Sequence, residues 1–531
     1  MSKLPLHKKS RHKRRSSESA GLVSSVWQSL SSFATIDPTK PSLKFPTKLV
    51  LAFSLPLLAI AAFTLVSHWG MDAAIAQSGG PTPAGAPAAT TPPSVNSGDT
   101  AWLLASSAMV LFMSPGLAFF YGGLVRSRNV LNMMMMSFVS MGIVGVTWVL
   151  WGYSLSFYNP AEYFRDATTF ADGIYKFVGG FGWFGLNGVA LDPHPIYSAT
   201  VPHQLFMAYQ MMFAMITVSL ISGAIAERMS FKAYFWFVLL WSTFVYCPLA
   251  HMVWGRGLLG SMGALDFAGG TVVHISSGVS ALVAAWLIGP RRDYAVRPIV
   301  PHNVPFVLLG VGILWFGWFG FNAGSAIGIG DYKVGASATV AFVATSVAAS
   351  AGGVAWMVAE WLLKGKPTAV GIGSGFVSGL VGVTPGAGFV TPTSAIVIGA
   401  LTGLACFAAV NLKSRFQFDD SLDTFPIHGV GGTVGAILTG VFATKLVNGG
   451  AANGLLEGNG GLLVTQIVAV LIAYAIAAIG TLIILKVLSL FMSLRVDSET
   501  EAEGLDVYEH GETGYGEEIP GEVSFSKSRE A

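Results

Sequence analysis

Long apolar runs separated by short polar segments make up the chain from about residue 100 to residue 492. Eleven of these runs reach at least the length of about 17 residues that a helix needs to cross a bilayer. They lie at 101–124, 129–155, 204–226, 233–252, 268–289, 304–324, 336–363, 369–385, 393–411, 427–446 and 462–492. The pattern therefore predicts an all-α polytopic membrane protein with eleven transmembrane helices.

Basic residues in the connecting segments indicate how these helices are oriented. Every second segment carries a basic cluster, namely Arg126/Arg128, Arg228/Lys232, Arg291/Arg292/Arg297, Lys364/Lys366 and Lys413/Arg415. The segments between them carry about one basic residue or none, except the long segment 156–203, which has Arg165 and Lys176. Lys and Arg concentrate on the cytoplasmic side of a membrane. We therefore expect a multi-pass protein of the cell's inner (plasma) membrane, with the mature N-terminus outside and the tail in the cytoplasm.

Composition agrees with a membrane protein and excludes a soluble one. Of the 531 residues 53% are hydrophobic and only 11% are charged, whereas a soluble protein has about 25% charged residues. Cys247 and Cys406 both lie inside apolar runs, which favours buried thiols over a disulfide or a metal site. The sequence has no P-loop and no dinucleotide fingerprint, so ATP-driven transport is not expected.

The two ends of the chain differ from its apolar middle. The predicted divisions are a basic leader with a signal peptide at 1–76, a flexible Pro/Ala/Gly-rich extracytoplasmic segment at 77–99, the eleven-helix domain at 100–494 and an acidic tail at 495–531. The run LVLAFSLPLLAIAAFTLV followed by Ala74 and Ala76 in an A-x-A sequence predicts cleavage before Gln77. An uncleaved anchor helix is the alternative. The acidic, Gly-rich tail predicts a solvated, loosely ordered cytoplasmic segment.

Two histidines stand inside apolar runs. His274 and His428 are five predicted helices apart, and the sequence GGTV occurs near each of them, at 269–272 and at 431–434. A single buried histidine is more often a hydrogen-bonded packing residue than a functional one. Two histidines in equivalent halves instead indicate a shared site, as in transporters built from inverted repeats. The pattern predicts two inverted five-helix halves and a final long helix, with a path lined by both imidazoles.

Aromatic and acidic residues near the histidines offer further chemistry. Trp254 lies at a predicted outer boundary, where it either holds a small cation by a cation–π contact or belongs to the interfacial aromatic belt. Phe213 and Phe321 lie within helices and either close a pore or simply pack. Asp266 precedes a helix, and capping is favoured over cation binding there. No third ligand accompanies the histidines, so no metal site is expected.

Acidic and basic residues at the cytoplasmic helix ends are expected to be solvated or to cap helices. They are Glu227, Arg228, Asp419, Asp420 and Asp423. No set of nucleophile and base accompanies them or the histidines, so the chain is not expected to be an enzyme.

Several stretches of the chain carry a family resemblance. They are SPGLAFFYGGLVRSRNV at 114–130, ITVSLISGAIAERMSF at 216–231, PLAHMVWGRGLLGSMGALDFAGGTVVHI at 248–275, GWFGFNAGSA at 317–326, GLVGVTPGAGFV at 379–390 and IHGVGGTVGAILTG at 427–440. In this order they resemble the ammonium transporter family (Amt/MEP, with Rh proteins as distant relatives), of the bacterial Amt type. The resemblance covers residues from about 100 to 515 and leaves out the leader.

This resemblance implies a role for each candidate residue. Trp254, Phe213 and Ser325 would recruit NH4+ at the outer mouth. Phe213 and Phe321 would form a stacked phenyl gate.

Below that gate, the family's twin histidines correspond to His274 and His428. Trp318 would line the pore beside them, and Asp266 would support the recruitment site without touching the substrate. The resemblance further implies a homotrimer with one pore in each protomer.

The implied function is ammonium transport without ATP and without a cofactor. NH4+ would lose its proton near the gate, and NH3, with or without the proton, would pass into the cytoplasm; methylammonium would serve as an analogue. The tail at 503–512 resembles the family's regulatory tail, which works with PII-type signalling proteins. The alternatives are an ammonium sensor that signals through this tail, a channel for a neutral gas such as CO2, and an intramembrane enzyme. The lipid bilayer is expected as a partner and nucleic acid is not.

Overall fold

The fold is an assembly of membrane-spanning helices. The computed structural model describes residues 94–159, 173–329, 332–413, 415 and 418–515, so the predicted leader, signal peptide and most of the flexible segment lie outside the described residues. The spans are α1 (Ser97–Leu124), α2 (Ser127–Phe157), α3 (His203–Ile225), α4 (Phe231–Ser261), α5 (Gly270–Ile288), α6 (Val304–Ala326), α7 (Ser337–Lys364), α8 (Ala369–Val383), α9 (Pro392–Lys413), α10 (Phe425–Phe442) and α11 (Gly460–Phe491).

These helices confirm the predicted fold class. Within the described ranges ten helices are long and apolar enough to cross a bilayer, and α8 is a shorter apolar helix. Helix α8 ends at Val383 and turns continue the chain through Phe389, because the sequence VTPGAGFV carries proline and glycines that do not extend a helix. Regular structure in these ranges is helical, apart from two isolated β-bridges.

The helices pack in the same order in each half of the chain. In the first half α3 packs against α1 and α5, and in the second half α8 packs against α6 and α10. Helices α1 and α6 join the halves along a close contact: a Cβ atom on Gly310 would lie only 2.3 Å from the Phe120 backbone nitrogen. Small residues permit such approach in membranes, where packing rather than water drives association. Helix α11 packs on the outside, against α4, α5 and α10.

Both buried histidines lie in π-helical segments. His274 lies within Gly270–Ile275 at the start of α5, and His428 within Phe425–Val430 at the start of α10. π-Helical turns are rare and occur frequently at functional sites. The two starts face each other, since a Cβ atom on Gly278 would lie 2.1 Å from the Gly429 backbone nitrogen.

Buried ion pairs connect the ends of several helices on one side of the helix assembly. Glu227 Oε2 lies 2.8 Å from Arg126 Nη2 and 3.1 Å from Arg291 Nη1. Arg291 Nη2 lies 2.9 Å from Asp419 Oδ1. Arg228 is fully buried and donates to the carbonyl oxygens of residues that include Ala224 and Asp419. Glu227 and Asp419 are therefore neither solvated nor capping, because each forms a buried ion pair. Arg228 is not solvated either, but it does cap helix ends, since it donates to the carbonyl oxygens of Ala226 and Gly289.

The acidic tail docks on the same end of the helix assembly as far as residue 515. It begins with a short helix, α12 (Ser498–Glu503), and continues to Asp506, whose carboxylate accepts from the amides of Leu131 and Asn132 at 3.1 and 2.8 Å. Tyr515 Oη lies 2.6 Å from His302 Nε2. For this stretch the expectation of a loosely ordered segment is wrong, since charged side chains cap helix ends of the membrane domain.

Candidate functional site

The candidate site lies where four helices and one helix end converge. Phe213 comes from α3, His274 from α5 and His428 from α10. Trp318, Phe321 and Ser325 follow one another on α6, and Trp254 ends the regular part of α4. The structure brings all seven side chains into one continuous set of contacts, which spacing along the sequence does not require.

The two histidines meet in the interior. Nδ1 of His274 lies 3.2 Å from Nδ1 of His428, and the ring centroids are 5.3 Å apart. One Nδ1 must donate and the other accept, so the two rings hold different tautomers and share one hydrogen bond. His274 Nε2 is buried without a hydrogen-bond partner among the described residues. Such an atom is free to contact a small polar molecule in the space beside it.

A narrow apolar cavity adjoins this pair. Its volume is about 10 Å³, which is about the space that one water-sized molecule needs. Beside both histidines, Trp318 and Phe321, the lining consists of Met113, Leu117, Phe120, Ile216, Leu220, Val273, Leu314 and Val377. Apart from the imidazoles and the Trp318 ring, this lining offers no side-chain hydrogen-bonding group. The Trp318 Nε1 atom is already engaged, donating to Thr384 Oγ1 at 2.9 Å.

Two stacked phenyl rings lie between the cavity and Trp254. The centroids of Phe213 and Phe321 are 4.2 Å apart with an angle of 20° between the rings, and both are buried. Phe321 also stacks on His274 at 6.0 Å, and Trp318 stacks on His274 at 5.4 Å. The contacts therefore run from the phenyl pair to the imidazoles, and the rings leave no gap between them.

The end of the site that holds Trp254 and Ser325 is half-exposed. Trp254 lies with its ring edge-on to Phe213 at 6.1 Å, and its Nε1 donates to the Asp266 carbonyl oxygen at 2.9 Å. Ser325 Oγ donates to the Phe321 carbonyl oxygen at 2.8 Å. Sequence reasoning missed Tyr209, whose hydroxyl lies 3.2 Å from Ser325 Oγ. Its position one turn before Phe213 on the same helix face was the available signal.

The carboxylate of Asp266 holds the start of α5. It accepts from the backbone amides of Gly269, Gly270 and Thr271 at 2.7, 2.6 and 2.8 Å. It also accepts from the Thr271 hydroxyl and from the Val272 amide. This is the hydrogen-bond pattern of a helix N-cap. Burial raises the pKa of Asp266 above its ordinary value, although these hydrogen bonds oppose the shift.

Asp420 is the counterpart of Asp266 in the second half. Each aspartate precedes its histidine by eight residues, and Asp420 accepts from the amides of Thr424 and Phe425 at 3.1 and 2.7 Å. Burial raises the pKa of Asp420 to about 6. The repeated spacing was visible in the sequence. The repeated GGTV sequence does not show this correspondence, because GGTV precedes His274 but follows His428.

Within the described ranges no group of three His, Cys, Asp or Glu residues is placed to hold a metal ion. Cys247 and Cys406 are both buried free thiols.

Comparison with known proteins gives a consistent family match. The model of the Ammonium Transporter Family matches residues 101–515. An ammonium transporter of Bacillus subtilis is 48% identical over 419 residues, covering 79% of this chain and 98% of that protein. Ammonium transporter Amt1 of Archaeoglobus fulgidus is 43% identical over 421 residues, covering 79% of this chain and all of that protein, 100%.

Solved structures show the same fold. Mep2 of Candida albicans superposes with a TM-score of 0.69 at 33% identity, covering 76% of this chain and 87% of that one. A structure described as a sensor Amt protein superposes with a TM-score of 0.68 at 28% identity, covering 78% of this chain and 98% of that one.

Proposed function

The chain belongs to the ammonium transporter family, and on this premise we propose that it recruits NH4+ at its outer mouth, deprotonates it and conducts NH3 into the cytoplasm. The proton either follows the ammonia or returns outside. The observation that carries this proposal is the pair of hydrogen-bonded histidines in an apolar cavity, closed by two stacked phenyl rings.

The apolar cavity favours a neutral species over the ion. An ammonium ion without compensating hydrogen bonds incurs a large desolvation penalty in such surroundings. The lining offers only imidazole nitrogens as acceptors, and the space holds about one water-sized molecule. Ammonia meets both conditions, because it is neutral, small and able to hydrogen-bond with the unpartnered His274 Nε2. The linked His274 and His428 rings provide a route for the proton.

The outer aromatic groups suit a small cation. Trp254 is half-exposed there and the Phe213 ring lies against it, and an aromatic ring contributes about 0.5 to 2 kcal/mol to cation binding depending on desolvation. Ser325 Oγ has its proton directed to the Phe321 carbonyl, so its lone pairs remain for N–H donors. A neutral gas such as CO2 has no need of such a mouth. The 4.2 Å separation of the Phe213 and Phe321 rings means that one ring must rotate for substrate to pass.

Assembly and regulation are proposed on the same premise. We expect a homotrimer with one pore in each protomer, in the inner (plasma) membrane, with the tail in the cytoplasm. The docked tail at 498–515 is a surface on which a PII-type signalling protein would act.

A second candidate function is ammonium sensing. It is favoured by the likeness to the structure described as a sensor Amt protein and by the tail, which contacts the start of α2 through Asp506. Deleting residues 505–531, which removes Asp506 and the rest of the tail but keeps α12, separates the two functions. A transporter keeps its flux and loses regulation, whereas a receptor loses signalling and has no flux to lose.

Uptake by the purified chain in sealed vesicles tests the proposal. Ammonium and methylammonium are supplied at two pH values, and both substrate uptake and membrane current are recorded against protein-free vesicles. We expect uptake of both substrates. Current that scales with uptake means that the proton or the ion crosses, and uptake without current means that ammonia crosses alone. Vesicles that take up neither substrate contradict the proposed function.

A further inference from the structure

Tyr209 brings a hydroxyl group to the outer mouth. It lies one helical turn before Phe213 on α3, and its side chain is fully buried. Its Oη lies 3.2 Å from Ser325 Oγ. The same oxygen lies 2.9 Å from the Gly320 carbonyl oxygen and 3.0 Å from the Phe321 carbonyl oxygen. The phenol thus reaches across from α3 to the last turn of α6, where the proposed acceptor for the cation lies.

The surrounding chain is shaped to let this hydroxyl approach. Residue 324 is a glycine, and a Cβ atom there would lie only 2.7 Å from Tyr209 Oη. Ser325 follows immediately in the short 3-10 turn Gly324–Ala326. The Tyr209 ring is further held edge-on against Phe213 at 5.0 Å. Both ends of the phenol are therefore fixed, which fixes the position of its oxygen relative to Ser325.

The hydrogen-bond partners of Ser325 determine the direction of its hydroxyl proton. A serine hydroxyl has one proton and two lone pairs. Its hydrogen-bond partners are the Phe321 carbonyl at 2.8 Å, which only accepts, and the Tyr209 hydroxyl, which accepts or donates. In every arrangement of these bonds the Ser325 proton points into the protein. At least one lone pair remains free toward the mouth.

We propose that Tyr209 is a positioning residue for cation recruitment: its hydroxyl is the second inward partner of Ser325 beside the Phe321 carbonyl, and the two partners together hold the proton inward and a lone pair outward. Ser325 then presents only an acceptor to the mouth, which suits NH4+ and its alkylated analogues, whose polar hydrogens only donate. A neutral molecule that offers only acceptors gains nothing there. This inference rests on the proposed function, since it explains how the proposed recruitment site discriminates between ligands.

A double-mutant cycle tests the inference by the concentration dependence of uptake in reconstituted vesicles. Tyr209→Phe removes the hydroxyl and keeps the ring. Losing one hydrogen bond to a neutral group should raise KM for ammonium about three- to tenfold, with the maximal rate changed by less than about twofold. Ser325→Ala should raise KM as well. Because Tyr209 acts through Ser325, the double variant should match Ser325→Ala within about twofold, instead of showing the product of the two effects.

Tyr234→Phe is the matched control, because it removes another fully buried phenol oxygen that bonds Ser140 Oγ at 2.9 Å, away from the mouth. It should leave KM unchanged. Thermal unfolding of each purified variant establishes that it is folded. If Tyr209→Phe does not fold, the ligand dependence of Ser325→Ala takes its place: Ser325→Ala should raise KM for ammonium and for methylammonium alike, and an unchanged KM for both overturns the inference.

Three results overturn the inference: an unchanged KM in Tyr209→Phe, multiplicative effects in the double variant, or an equal effect of Tyr234→Phe. Each leaves the proposed function intact as long as the unmodified chain takes up ammonium. Absence of uptake by the unmodified chain instead refutes the proposed function itself.

Discussion

The Nδ1–Nδ1 hydrogen bond between His274 and His428, 3.2 Å long, makes each ring depend on the other for its tautomer. Replacing either with alanine removes a polar group from the cavity and leaves the remaining Nδ1 without its partner. We expect His274→Ala and His428→Ala each to reduce ammonium uptake about tenfold or more, because each substitution removes a group that carries the proton. Uptake per folded protein is the measurement.

Tyr474→Phe is the control for the histidine variants, because Tyr474 bonds Thr433 Oγ1 at 3.0 Å and does not line the cavity. Its uptake should remain near that of the unmodified chain. Unchanged uptake in both alanine variants would remove the assigned role of the histidines.

Among single residues, the sequence reveals those whose chemistry is unusual for their surroundings. His274 and His428 stand out because an imidazole in an apolar run is costly. Tyr209 does not stand out by residue type, because an aromatic residue in an apolar helix is ordinary. Its position one turn before Phe213 indicates only that it shares a helix face with that residue, since its hydrogen-bond partners belong to α6. Its three hydrogen bonds come from tertiary packing, which no local spacing encodes. Asp420 could have been predicted as the counterpart of Asp266, because each of them precedes its histidine by eight residues.

At the scale of elements, the contact between α5 and α10 sets the distance between the histidines. Gly278 lies one turn beyond His274, and a Cβ atom there would fall 2.1 Å from the Gly429 nitrogen. We expect Gly278→Ala to force the helices apart at a cost of about 1 to 3 kcal/mol. It should also reduce ammonium uptake by lengthening the Nδ1–Nδ1 contact. Thermal unfolding and uptake are measured on the same preparation.

Gly312→Ala on α6 is the matched control for this substitution, since a Cβ atom there meets nothing within 4 Å. Alanine at that position should leave both stability and uptake essentially unchanged, or raise stability slightly through its higher helix propensity. A Gly278→Ala protein that behaves like Gly312→Ala would contradict the view that this crossing holds the histidine pair together.

The tail provides a second prediction at this scale. Asp506 accepts from two amides in the first turn of the α-helical part of α2, and losing such a cap costs about 0.5 to 2 kcal/mol. We expect Asp506→Ala to loosen the docked tail while ammonium uptake is retained. Hydrogen exchange should become faster at 505–511 and at Leu131 and Asn132. Glu512→Ala, at an exposed position, is the control and should leave exchange unchanged.

The lengths of the apolar runs predict how many helices there are better than they predict where a helix ends or where it contains a π-helical turn. The eleven apolar runs correspond to the eleven helices, including the short α8. The π-helical turns at His274 and His428 were not predicted, because a shift of the hydrogen-bond register depends on the neighbouring helix. The docking of the tail was also missed: its acidic composition resembles that of a solvated segment, whereas the partners of Asp506 lie 374 to 375 residues away in the sequence.

For the whole molecule, the buried charges of Glu227, Arg291 and Asp419 join the two halves at one end of the helix assembly. Glu227 follows α3 and Arg291 follows α5, whereas Asp419 belongs to the second half and precedes α10. Burial alone would raise the pKa of Glu227 and of Asp419, but Arg291 and neighbouring arginines outweigh it and hold both pKa values below their ordinary range. The ionised form of each carboxyl group is therefore the form that the folded state favours.

This direction determines how stability should respond to pH. A carboxyl group with a lowered pKa in the folded state stabilises the protein above its unfolded pKa of about 4, and the contribution is lost as pH falls through the folded value. Asp419→Asn removes one charge from a buried pair with Arg291 and should cost about 3 to 5 kcal/mol at neutral pH. Below pH of about 4 the difference from the unmodified chain should shrink, because Asp419 is then losing its charge as well.

Unfolding of both proteins across this range in detergent is the measurement. Asp497→Asn, at the tail's surface, is the control and should have a much smaller effect. A difference that stays constant with pH would mean that Asp419 contributes through packing and not through its charge.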